Sequence, residues 1–196
     1  MPNWCENELR IEGPAKDLKE FKKLAKKHNR YKENPILNTN NFIPYPEEFR
    51  KLDKISTNWM SKADDFAKKN GKDADWYCGD KLSKKLRDQF VKENGEYPSD
   101  GFNQGGYDWC IKNWGTKWGI CSPELVNEYK EELEYEFESA WAPPAPVILK
   151  MSEMFPTLRF ELRYFEMGVG FNGLYICEKG KVIEDKEGEY FGHRGG

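Results

Sequence analysis

Histidine is almost missing from this chain, with two in 196 residues, His28 and His193. Neither stands at ligand spacing from a second imidazole or a thiolate pair, so no metal centre is expected, and no other cofactor is indicated. The five cysteines, at positions 5, 78, 110, 121 and 177, form an odd set without a C-x-x-C. That pattern points to reduced thiols and excludes a disulfide framework. No run approaches the ~18 apolar residues of a membrane span, and residues 1–20 lack an apolar signal core, so no membrane partner is expected and the protein is read as cytoplasmic. Phosphate-cradling glycine loops, nucleophile elbows and dinucleotide fingerprints are absent too. Positive charge is not in excess, the formal net being −3, which disfavours broad binding to nucleic acid.

What is present is bulky and unevenly charged. Twelve Phe, ten Tyr and seven Trp are too much apolar mass for a disordered chain. Gly13–Lys32 holds eight basic residues against two acids, whereas Pro123–Glu138 holds seven Glu against one Lys. Two surfaces of opposite sign follow.

Trp4, Leu9 and Ile11 read as a half-buried first strand with Trp4 anchored in the core, and Gly13-Pro14 ends it. Leu18, Phe21, Leu24 and Ala25 recur at helical spacing, predicting an amphipathic helix that ends near His28-Asn29. Residues 34–50 read as an extended connector, and residues 53–105 as a helical insertion with helices near 58–69 and 80–93. In YKEELEYEFESAW, Tyr129, Leu133, Tyr135, Phe137 and Trp141 alternate with charges, specifying a strand with one wet, acidic face. APPAP opens a second helix, LRFELRYFE is a third strand, and a hairpin with a Glu178-Lys179-Gly180 turn follows. The order β, α, insertion, β, α, β, β suits an α+β fold, a ferredoxin-like antiparallel sheet with its helices on one face. The expected organisation is one domain over 1–196, with the insertion at about 53–105 and a loose tail from about 186.

Few groups offer chemistry. Cys5 reads as a small buried strand thiol; as a nucleophile it would need His28 as its base. Glu166 precedes Gly168, Gly170 and Gly173, so it marks either a bulged hairpin or a place where backbone approaches a ligand. WCIKNWGTKWGIC sets Trp109, Trp114 and Trp118 around Lys117. Two readings compete: indoles as core anchors, or a platform that stacks and charge-pairs with a base, a nucleotide or a partner's side chain.

Several stretches taken together, PNWCENELRIEG, FIPYPEE, WGTKWG, ESAWAPPAP, FPTLRFELRYFE and GVGFNG, resemble the Api92-like, or YubB ferredoxin-like, family of phages, plasmids and prophages. The resemblance covers residues 2–13, 42–48, 114–119 and 139–173. It implies a ferredoxin-like α+β fold and a mobile-element origin, with no catalytic residues to carry over. The function expected is a non-enzymatic binding protein in the host cytoplasm, acting in counter-defence by sequestering a nucleotide-derived signal or by binding a host protein. Its ligand-binding residues would be Trp114, Lys117, Trp118, Trp141, Tyr164 and Glu166. The alternatives are an enzyme on a nucleotide or nucleic-acid substrate using Glu166 and Lys117, and a nucleic-acid-binding module using the Lys-rich first helix. A homo-oligomer stays open.

Overall fold

Alternation through WCENELRIE puts Cys5, Asn7, Leu9 and Ile11 on the buried side of a strand and Trp4, Glu6, Glu8, Arg10 and Glu12 on the other. The computed structural model describes residues 3–26, 36–72 and 81–189. In chain order its elements are β1 (Trp4–Glu12), α1 (Ala15–Ala25), α2 (Glu47–Lys69), α3 (Lys81–Asn94), α4 (Tyr107–Trp114), β2 (Cys121–Tyr129), β3 (Glu132–Ala140), α5 (Ala145–Met154), β4 (Arg159–Glu166), β5 (Phe171–Glu178) and β6 (Lys181–Glu189). They form two compact units, one of residues 1–44 with 108–196 and the other of residues 45–107.

The first unit is built on a six-stranded antiparallel sheet in the order β2-β3-β1-β4-β5-β6. Its first four strands with α1 and α5 make the split β-α-β plan of a ferredoxin-like domain, and the β5-β6 hairpin extends the β4 edge. β2 was not expected: the alternation predicts one strand from Tyr129 to Trp141, but the run is broken after Tyr129, which ends β2 ahead of the turn into β3. The hairpin turn has positive φ at Lys179 and Gly180, the geometry that two-residue connections favour. β6 continues to Glu189, past the point where a loose tail was expected.

α1 and α5 cover one face of this sheet. Phe21 lies within 5.3–6.3 Å, ring centre to ring centre, of Phe42, Tyr135, Phe155 and Phe160, and Val147, Ile148 and Met151 of α5 are fully buried. Truncating such an aromatic to Ala costs about 3–5 kcal/mol. Gly13 lets α1 begin hard against the α5-β4 connection: with φ +151°, any Cβ there would fall 2.6 Å from Leu158 Cδ2. The expected end of this helix at His28-Asn29 lies outside the described residues.

The second unit has its own small core, in which Trp59, Ala63 and Ala67 of α2 meet Phe90 of α3, and the Trp59 indole donates to Gly95 O at 3.1 Å. α2 starts at Glu47, well before Asn58, because Pro46 presets the backbone and Glu47 and Glu48 suit a helix N-terminus. Among the described residues no helix is long and apolar enough to cross a membrane.

Candidate functional site

The WGTKWG loop is held on both sides. Gly115 (φ +78°) and Gly119 (φ +75°) take left-handed turns where a Cβ would fall 2.6 Å from Pro146 Cδ and 2.7 Å from Thr39 Oγ1. Between them Thr116, fully buried, donates from its hydroxyl to Ala140 O at 2.7 Å, and Ile120 N donates to Thr39 Oγ1 at 2.9 Å. Trp114 anchors the loop's start: it is buried, its indole donates to Ile43 O at 2.9 Å, and it meets Trp109 edge to face. With its flanks pinned in this way, the loop presents Lys117 and Trp118 as a preorganised pair.

Trp118 is 42% exposed, and the Lys117 ammonium lies 4.5 Å from the centre of its ring. The indole of Trp4 stands 6.0 Å away, tilted by 49°. Trp4 is therefore not in the core: it is 37% exposed. Strand parity explains the correction, since position 4 faces opposite to positions 9 and 11. Trp141 is 46% exposed and follows Ala140, which pairs with Trp4 in the sheet. Its φ of +73° is an outlier for so bulky a residue, and its N–H donates to Asn3 O at 3.0 Å.

Two other expected residues lie elsewhere. Tyr164 is buried beneath the β5-β6 hairpin against Phe171, and burial pushes its phenol up to about 12. Glu166 is buried at the same sheet end and accepts the backbone N–H groups of Gly168 (2.6 Å) and Val169 (2.5 Å). The backbone that the glycines bring to Glu166 is thus its own turn. Cys5 is fully buried opposite Ser139 and Glu166, and desolvation raises its thiol to about 12, far from the thiolate a nucleophile needs. Its expected base, His28, lies outside the described residues. Asn7 ties the start of β1 to β3, donating to Cys5 O at 2.8 Å and Ser139 Oγ at 2.9 Å.

Of the six expected residues, Lys117 and Trp118 stand together; Trp141 is at the same end of the sheet; Trp114, Tyr164 and Glu166 serve the frame. Trp4 joins the cluster, and strand parity was the signal that could have found it.

The face of the sheet turned away from α1 and α5 is charged. At one end the charges are matched: Arg10 pairs with Glu12 and Glu132, and Arg159 pairs with Glu12, Glu161 and Glu178. Although burial works the other way, Arg159 and Arg163 hold the Glu161 carboxyl below its usual range. Towards Trp4 carboxylates outnumber cations: Arg163 stands across from Glu8 but pairs with Glu161. Glu6 stands directly across from Glu138, and Glu136 is flanked by Glu8 on one side and Glu124 on the other. These five carboxylates and Phe165 line a shallow depression of about 320 Å³. A wider hollow of about 810 Å³ lies at the opposite end around Glu12–Pro14 and Tyr129–Glu132 and contains none of the expected residues.

Among the described residues no group of three or more His, Cys, Asp or Glu side chains is arranged to hold a metal ion. Residues 114–193 match a family model described as the ferredoxin-like domain in Api92-like protein. That stretch runs from the last residue of α4 through β6 and carries Lys117, Trp118 and Trp141. The crystal structure of the protein Api92 from Yersinia pseudotuberculosis aligns over 98% of this chain and 99% of that one, with a TM-score of 0.52 and 11% identity. At that identity the likeness concerns the fold alone. No curated protein matches the chain in sequence.

Proposed function

We propose that this is a non-enzymatic binding protein that engages a host protein through the indoles of Trp4, Trp118 and Trp141 at one end of the sheet. The observation that carries the reading is the exposure of these three large aromatic side chains, 37–46%, on a backbone fixed by the sheet and by the pinned WGTKWG loop. Tryptophans presented on rigid backbone supply contact area at little entropic cost, and they dominate measured hot spots. The residues that catalysis would have drawn on are committed elsewhere: Glu166 to its own turn, Tyr164 to packing, and the Cys5 thiol to its protonated form.

The resemblance to a mobile-element family supports placing this activity in a host cytoplasm as counter-defence. Sequestration of a nucleotide-derived signal is the second reading, and Lys117 over Trp118 is what favours it. The carboxylates around the neighbouring depression count against it, since phosphates approaching Trp4 would meet them.

Tagged protein incubated with host cytosol should retain a host protein that a Trp4→Ala/Trp118→Ala double variant loses, whereas Trp fluorescence should stay flat through a panel of mono-, di- and cyclic nucleotides. Equal retention by the variant defeats the aromatic-patch reading. Saturable quenching by a nucleotide, abolished by Lys117→Ala, would replace the protein partner with the second reading.

A further inference from the structure

We infer that the open face of the sheet is a docking surface for a basic polypeptide segment of the partner, with Glu8, Glu124, Glu136 and Glu138, towards the Trp4 end, taking its Lys and Arg side chains. The inference deepens the reading above and rests on it, because it gives the chemistry of the partner at the same end of the molecule.

Three observations carry it. The first is charge complementarity along a single face. Arg10 and Arg159 pair with the carboxylates at the far end of this face, and Arg163, which stands across from Glu8, pairs with Glu161; among the described residues no ion pair reaches Glu8, Glu124, Glu136 or Glu138. A predominantly acidic surface selects a partner of the other sign and speeds its approach.

The second is register. Opposed like charges destabilise an antiparallel pair, and here two such oppositions meet at Glu136, which faces both Glu8 and Glu124. A cationic segment lying over them would convert each repulsion into attraction, so the arrangement is costly in the free protein and favourable in the complex.

The third is the aromatic edge. Trp4 belongs to the same face of β1 as Glu6 and Glu8, and its neighbour Trp118 already holds the Lys117 ammonium over its ring. The platform thus accepts a cation, and an arginine of the partner can lie flat on the exposed indole of Trp4 while its neighbours reach the carboxylates.

The test uses the full chain and a short Arg- and Lys-rich peptide, followed by fluorescence anisotropy at several salt concentrations. Two variants each remove four negative charges: Glu8→Gln/Glu124→Gln/Glu136→Gln/Glu138→Gln at the site, and Glu20→Gln/Asp65→Asn/Asp88→Asn/Glu96→Gln at other exposed positions. Binding that weakens with salt, falls about tenfold or more in the site variant and stays within about twofold in the control supports the inference. An equal loss in both variants reduces the effect to net charge and overturns it. Peptide binding absent from the wild type, with Trp-dependent retention of a host protein intact, overturns this inference and leaves the proposed function standing. Self-association in sedimentation that the site variant abolishes would make the occupant a second copy of the chain, which also overturns it. Thermal melts of both variants verify that each is folded.

Discussion

Replacing Glu136 with Gln should make the free protein more stable, which is unusual for a residue in the middle of a central strand. Glu136 stands opposite Glu8 on β1 and Glu124 on β2, so one substitution relieves two like-charge contacts while leaving the strand and its buried face untouched. Directly opposed pairs are worth roughly 0.2–1 kcal/mol each. Solvent around these side chains keeps them in the lower half of that range, so about 1 kcal/mol is expected for the two together. For a chain of this size that is a rise in Tm of about 2–4 °C. The assay is thermal unfolding followed by circular dichroism at low ionic strength and again near 1 M NaCl, where screening acts over ~3 Å and should remove most of the difference. Glu134→Gln is the control: Glu134 sits opposite Arg10 and accepts from Asn127, so its loss should be neutral or destabilising. A Glu136→Gln protein that melts lower than wild type, or whose gain ignores salt, would refute the claim that this face stores repulsion.

Other consequences separate frame from site. Trp114→Ala should destabilise by about 3–5 kcal/mol through lost packing and the lost bond to Ile43 O, read by denaturant midpoint, whereas Trp118→Ala should barely move that midpoint yet abolish partner retention. Burial raises Cys5 and Tyr164 to about 12 in the folded state, above their ordinary values. Both are neutral when protonated, so their contribution is whole below the unfolded pKa, near 9 for the thiol, and drains away as pH rises towards 12; stability measured across that window should fall, and Cys5→Ser should flatten part of the fall. Glu166→Gln should loosen the 167–170 turn without altering affinity for any ligand, visible as faster amide exchange at Gly168 and Val169.

The skeleton of the fold was legible because its signals are periodic. Leu133, Tyr135 and Phe137 alternate with glutamates, and Phe160 and Leu162 alternate with Arg159, Glu161 and Arg163. A sheet buried on one face requires both patterns. β2 was hidden because its alternation is disrupted: register shifts fall between Cys121 and Glu124 and between Leu125 and Asn127, and Pro123 discourages a strand assignment. The candidate site was only half legible. Lys117 and Trp118 stood out by composition, but which of the neighbouring indoles is exposed depends on contacts distant in sequence: Trp114 is drawn inward by the carbonyl of Ile43, and Trp4 is turned outward by the parity of β1. The glutamates of β3 read as a solvated strand face. Their meaning changed once the register placed Glu8 and Glu124 against them, and pairing across strands is not written in any single segment.

The most direct test of the docking face is a map of where a basic segment lands. Titrating the Arg- and Lys-rich peptide into isotopically labelled protein should shift the amides of Trp4, Glu6, Glu8, Glu124, Glu136 and Glu138 and the indole N–H of Trp118, while α1 and α5 on the opposite face stay still. Shifts confined to the helix-covered face or to residues 45–107, with the Trp4 end of the sheet silent, would contradict the account.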